Sequence, residues 1–144
     1  MTVAAILKHK GHEVITTHSG ATVAEVVALL ADHQIGAIVI VDDCAHVAGI
    51  LSERDIVDCL ARHGASTLTM LAGQLMTQKV HVANPRMTVE EAMRIITANR
   101  VRHLPVLDNG EVIGLVSIGD VVKAIITRQE TEVVGLRAYI AGAA

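Results

Sequence analysis

Two stretches of the chain place apolar residues three and four positions apart: Val23, Val26, Val27 and Leu30 in one, Val89, Ala92, Met93 and Ile96 in the other. That spacing lays an apolar stripe along one face of an α-helix. Each stripe follows a Thr-x-x-Glu sequence, Thr22-Val23-Ala24-Glu25 and Thr88-Val89-Glu90-Glu91, 66 positions apart. In such a capping box threonine and glutamate satisfy each other's free backbone N–H groups, so both mark helix starts. Both predicted helices run into short β-rich segments, Ala37 to Asp42 and His103 to Asp108. One residue is then lost in a turn and the offset becomes 65: Gly49-Ile50-Leu51-Ser52-Glu53-Arg54-Asp55 aligns with Gly114-Leu115-Val116-Ser117-Ile118-Gly119-Asp120. Asp108-Asn109-Gly110 is a hairpin signal, and Asp42 to His46 is its longer counterpart. Opening strands are expected near Val14–Thr17 and Val80–Ala83, and closing helices from about Glu53 and Ile118.

The chain is thus an internal duplication. We divide it into a first repeat with an N-terminal helix (1–66), a second repeat (67–128) and a helical tail (129–144). A small, polar stretch from His63 to Thr69 reads as the linker. Val3, Ile6 and Leu7 predict an amphipathic helix before the first repeat; Val133, Leu136 and Ile140 predict another, from about Thr127 to Ile140, after the second. A repeat of some 60 residues is marginally stable alone, so the two sheets are expected to pack together around a shared core.

Composition narrows the function. The hydrophobic fraction of 51% is ample for a core, yet no apolar run approaches the roughly 20 residues that cross a bilayer. The N-terminal residues lack the charged leader and long apolar centre of a signal peptide, so a cytoplasmic location is expected. Cys44 and Cys59 fit free thiols better than a disulfide framework. A net charge of −3, with no Trp or Phe and Tyr139 as the single aromatic, argues against nucleic-acid binding. A ligand ring would have to be gripped by aliphatic side chains.

The repeated Gly-x-x-Ser-x-x-Asp element, the order of strands and helices, and Arg102-His103-Leu104-Pro105-Val106 together resemble the cystathionine-β-synthase (CBS) domain in tandem, over Met1 to about Arg128. The resemblance implies an α/β fold: two β-α-β-β-α repeats related by a pseudo-two-fold axis, with packed sheets and N- and C-terminal helical extensions. It implies two clefts between the repeats that take adenosine-containing ligands such as AMP, ADP, ATP, NAD(H) or S-adenosylmethionine. It also implies face-to-face dimers and regulation of a partner protein. Carried onto this chain, it places Thr16 and Val82 at ligand-facing positions, and Gly36-Ala37-Ile38 and Arg102-His103-Leu104 along the adenine side.

The residues themselves give a reason. Ser52 and Ser117 each follow a strand and open a helix, where free N–H groups and the helix dipole favour an anion. Asp55 and Asp120, three residues on, face the same helix mouth and can accept hydrogen bonds from a ribose diol. Gly49 and Gly114 permit close backbone approach. The same serine–acid pairs also read as plain helix caps, and the two roles can coexist. The motifs differ between repeats: the first contains Arg54, while the second has Ile118-Gly119, its nearest cationic candidates being Arg100, Arg102 and His103. Two sites of different ligand preference are therefore expected, although Arg54 and Arg102 also read as surface ion-pair partners.

Other chemistries find less support. Gly114-x-x-x-x-Gly119 continues into Asp120 where a P-loop needs lysine, and no Gly-x-Gly-x-x-Gly is present. Eight histidines include Cys59/His63, Cys44/His46 and His9/His12, none forming the paired set of a structural zinc site. No serine–histidine–acid order or carboxylate pair marks an active site. The expected function is a stand-alone regulatory module, not an enzyme, with no obligatory cofactor. It would bind AMP, ATP or NADH as a homodimer that signals to an unidentified protein. The rivals are an interaction module with non-binding clefts and a metal or redox sensor built on Cys44, Cys59 and nearby histidines.

Overall fold

The computed structural model describes residues 1–143. In chain order the elements are α1 (Val3–Lys10), β1 (Thr16–Thr17), α2 (Val23–His33), β2 (Ala37–Val41), β3 (Val47–Ser52), α3 (Glu53–His63), a 3-10 turn (Gly64–Thr69), α4 (Ala72–Leu75), α5 (Val89–Asn99), β4 (His103–Asp108), β5 (Glu111–Ser117) and α6 (Ile118–Ala143). Both Thr-x-x-Glu boxes form: Thr22 accepts from the Glu25 amide at 3.2 Å and Thr88 from the Glu91 amide at 3.1 Å. Helices α2 and α5 end alike, with Gln34 and Arg100 in left-handed conformation at φ 53° and 54°. Among the described residues no helix is long and apolar enough to cross a membrane.

Strands β1, β2 and β3 form one sheet, β1 parallel to β2 and β2 antiparallel to β3; β4 and β5 form the other. The opening strand expected at Val80–Ala83 is reduced to a single parallel bridge, Ala83 to Val106. Proline explains the loss. In the first repeat the Val39 amide donates to Ile15 O at 3.4 Å. The residues 66 positions on are Pro105 and His81, and proline has no N–H to give.

Each repeat has its own apolar cluster. Val23, Val26, Ile38, Ile40, Leu51 and Ile56 centre the first; Val89, Ile96, Leu104, Val106, Val116 and Val121 centre the second. The helices preceding the repeats are exchanged between them. Val3, Ile6 and Leu7 of α1 are buried in the second cluster, whereas Ala72 of α4 is buried in the first. The docking bonds repeat as faithfully as the sequence: Val3 and Ala4 amides donate to Met87 O and Pro85 O, and Ala72 and Gly73 amides to Ala21 O and Ser19 O. Gly49 and Gly114 serve this exchange. A Cβ on Gly114 would lie 2.5 Å from Leu7 Cδ2, and one on Gly49 would lie 2.6 Å from Met76 Sδ. The close approach expected to admit a ligand admits these side chains instead.

Two further expectations change. The linker is a 3-10 turn whose Thr67 is fully buried, its hydroxyl 3.6 Å from Cys59 Sγ. The tail is not a separate helix: α6 runs unbroken from Ile118 for 26 residues, because neither proline nor a capping sequence interrupts it near Thr127.

Candidate functional site

Ser52 ends β3 and caps α3, accepting from the Asp55 amide at 3.2 Å. The Asp55 carboxylate returns the bond: Oδ2 accepts from the Ser52 amide and from Ser52 Oγ, both at 2.9 Å. Oδ1 has no partner among the described residues. The plain capping role is therefore filled, and one carboxylate oxygen is left over.

This helix mouth opens on a groove of about 190 Å³ between the repeats. The first repeat contributes Ser52, Glu53, Arg54 and Asp55; the second contributes Thr77, Lys79 and His81 from its opening segment and Arg100, Arg102 and His103 from the junction of α5 and β4. The arrangement corrects the expected partition, in which Arg100, Arg102 and His103 were to serve the motif of their own repeat. In the sheet His103 lies opposite Ser117 of its own repeat, yet Arg100, Arg102 and His103 line the groove at Ser52 and Asp55, and His103 feels the charges of both Glu53 and Asp120. Arg54, Lys79, Arg100 and Arg102 all line it, and among the described residues none forms an ion pair.

His103 is half-buried beside this set. Burial, and then the nearby Lys10 charge, hold its pKa below 6.5, against the opposing pull of Glu53 and Asp120. The repeats meet closely here: a Cβ on Gly36 would lie 3.3 Å from His103 Nε2 and 3.4 Å from Glu53 Oε1. Gly36 O accepts from the Glu53 amide at 2.9 Å, just as Arg102 O accepts from the Ile118 amide at 2.8 Å.

The second helix mouth is built alike and furnished differently. Ser117 Oγ accepts from the Asp120 amide at 3.2 Å, and Asp120 Oδ2 accepts from the Ser117 amide at 2.8 Å. The same Oδ2 is also taken by Lys10 Nζ at 2.6 Å, and Lys10 further donates to Leu115 O at 2.7 Å. Burial works to raise the Asp120 pKa, but the Lys10 and Ser117 hydrogen bonds outweigh it and hold it below 3.8. The sequence counterparts of Lys79, His81, Arg100 and Arg102 are Glu13, Ile15, Gln34 and Gly36, and that of Arg54 is Gly119. Every cation of the first groove has a non-cationic counterpart.

The remaining candidates lie outside the groove lining. Ala37, Ile38 and Leu104 are wholly buried and can offer a ligand little beyond backbone. Thr16 is exposed on β1, and Val82 is exposed on the opening segment of the second repeat. Thr77, Lys79 and His81 were not anticipated; the available signal was a polar, cationic run where an opening strand of the second repeat was expected. Cys44 and His46 meet Asp42 on an exposed turn, their donor atoms within 4.8 Å of one another. That turn lies at the far end of the β2–β3 hairpin from the groove.

A duplicated unit of strands and helices with a serine–aspartate helix mouth in each repeat defines the class of paired α/β modules to which comparison with known proteins assigns this chain. The CBS domain family profile matches residues 5–62 and 72–127, and the chain belongs to that family. It is 34% identical over 149 residues to the CBS domain-containing protein CBSX3, mitochondrial, of Arabidopsis thaliana, covering 98% of this chain and 72% of that protein. Among solved structures it resembles the CBS-domain containing protein ATU1752 from Agrobacterium tumefaciens, with a TM-score of 0.83 and 39% identity over 86% of this chain and 98% of that one. It also resembles the CBS domain pair of protein MJ0100, solved in complex with 5′-methylthioadenosine and S-adenosyl-L-methionine, with a TM-score of 0.80 and 25% identity, covering 89% and 98% of the two chains.

Proposed function

We propose that this chain is a regulatory sensor that binds a phosphate-bearing adenosine nucleotide (AMP, ADP, ATP or NADH) in the groove between its repeats and relays occupancy to a partner protein. One observation carries the reading: four cations without an ion-pair partner among the described residues line the groove at a helix mouth whose aspartate has one carboxylate oxygen without a partner among those residues. The Ser52 mouth and the guanidinium groups suit phosphate, and Asp55 Oδ1 suits a ribose hydroxyl. The adenosine ligands bound by protein MJ0100 support the adenosine half. The phosphate half comes from this chain's own charge. A groove of about 190 Å³ is smaller than the roughly 300–1,000 Å³ that encloses a small ligand whole, so the nucleotide lies partly in solvent. Two copies of the chain work together, in a reducing compartment such as the cytoplasm that keeps Cys44 and Cys59 as thiols.

The second mouth carries the rival reading, a cleft that serves structure and binds nothing. Lys10 pairs with Asp120 Oδ2 there and none of the four groove cations has a cationic sequence counterpart at that mouth, so we assign tight binding to the first groove alone. Titration calorimetry with AMP, ATP, NADH and S-adenosylmethionine tests both points. One equivalent of a phosphorylated ligand per chain, at micromolar affinity or about −8 kcal/mol, with S-adenosylmethionine weaker, is the expected result. No heat from any of the four would overturn nucleotide sensing; two equal sites would overturn the assignment of the second mouth.

A further inference from the structure

Helix α6 leaves the body of the protein halfway along its length. Val121 is buried, and Ala124 and Ile125 pack on the second cluster; Arg128 pairs with Glu90 of α5. From Gln129 to Gly142 every residue is exposed, among them Val133 (47%), Leu136 (60%), Tyr139 (75%) and Ile140 (60%). A helix of about 14 residues is marginal in water even when built from good helix formers. This one carries Gly135, Gly142 and two adjacent β-branched valines. It needs a cover.

The spacing of its apolar residues says what kind. Ile126, Val133 and Ile140 recur every seven positions, with Gln129 and Leu136 three places after the first two. These are the a and d positions of a heptad, and they form a seam turned about 110° from the face that packs on the body. The a positions hold only β-branched residues and the apolar d position holds leucine, the combination that favours two parallel strands. Glu132 and Arg137 flank the seam at g and e, five residues apart, where parallel helices set opposite charges against each other. Arg137 has no ion-pair partner within its own chain among the described residues.

We infer that the second half of α6 pairs with α6 of a second copy of this chain as a short parallel coiled coil, with Ile140 against its own counterpart and Glu132 facing Arg137. The inference rests on the pairing of two copies proposed above and names the surface that makes it. It leaves the nucleotide groove of each copy free, because none of its lining residues lies on α6.

Single-cysteine chains in a Cys44→Ser, Cys59→Ser background test it by mild oxidation. Ile140→Cys should form at least tenfold more interchain disulfide than Ala138→Cys, which sits on the helix face away from the seam. Equal yields, or none at Ile140→Cys, would overturn the parallel seam. Sedimentation separates this from the wider reading, since Leu136 is exposed and Leu136→Glu leaves both cores intact. The dimer dissociation constant should rise at least a hundredfold in that variant. An undiminished dimer would overturn the α6 pairing alone, whereas a monomeric native chain would overturn both.

Discussion

Replacing Asp55 by alanine removes two things at once, and the structure allows them to be weighed separately. The first is a share of the α3 cap: Oδ2 accepts from the Ser52 amide and hydroxyl at 2.9 Å each, while Ser52 Oγ still serves the amide of residue 55. Losing such a cap partner costs about 1 kcal/mol, which lowers the melting temperature of a chain this size by roughly 3–5 °C. The second is Oδ1, without a partner among the described residues, on a carboxylate that lines the groove. A hydrogen bond from a ribose hydroxyl to a carboxylate contributes about 1.5–3 kcal/mol, so its loss weakens nucleotide binding by about 10- to 150-fold. Calorimetric titration of native and Asp55→Ala protein, beside a thermal melt of each, reads both effects. Thr22→Ala, which removes one cap bond of α2 at a residue outside the groove lining, is the control for cap loss alone. Should Asp55→Ala melt several degrees lower yet keep its nucleotide dissociation constant within twofold of native, the aspartate is a cap and nothing more, and the ribose assignment is wrong.

Three further outcomes follow from particular contacts. Lys10 and Asp120 are 39% and 24% exposed, so Lys10→Met should lower the melting temperature by no more than about 3 °C at neutral pH. Because Asp120 is held below 3.8 in the fold, its contribution is present above 3.8 and lost as pH falls through the lower folded value. The gap between native and Lys10→Met melts should close over that acid range, and a gap that persists there would contradict the pairing. His103, held below 6.5, resists a proton that the unfolded chain accepts, so stability falls as pH drops below 6.5. The fall should be smaller in His103→Gln, and an identical pH profile in both proteins would show that His103 does not contribute. Gly114→Ala forces a methyl group onto Leu7 and should cost about 1–3 kcal/mol. Leu7→Ala alone should cost about 2–5 kcal/mol. In the double variant the methyl group enters the vacated space, so the combined loss should fall short of the sum by at least about 1 kcal/mol in denaturant melts; strict additivity would contradict the docking of α1 on β5.

Local signals in the sequence carried much of this fold. Capping boxes depend on residues three apart, and Thr22, Ser52, Thr88 and their acids lie where a one-dimensional reading can find them. The duplication supplied the rest of the topology, since each element of one half vouched for its counterpart in the other. What stayed hidden was set by contacts across the chain. Val3, Ile6 and Leu7 announce a face that needs burial without naming the repeat that buries it, so the exchange of α1 and α4 was not legible. Pro105 could have been recognised as a missing donor only once its partner His81 was known. The groove shows the same limit: Ser52, Arg54 and Asp55 were read from one motif, and Arg102 and His103 from another. That the two motifs face each other, with Lys79 and Arg100 beside them, is a property of the inter-repeat packing. Lys10 was invisible for the same reason, because 110 residues separate it from Asp120.

The most direct test follows backbone amide signals by NMR as ATP is added to the native protein. Amides of Ser52, Asp55, Thr77, His81, Arg102 and His103 should shift together and saturate at one equivalent per chain, while those of Asp42 to His46 stay fixed. Saturable shifts confined to Ser117–Asp120, or no saturable shift in either helix mouth, would contradict the claim that nucleotide sensing resides in the cation-lined groove.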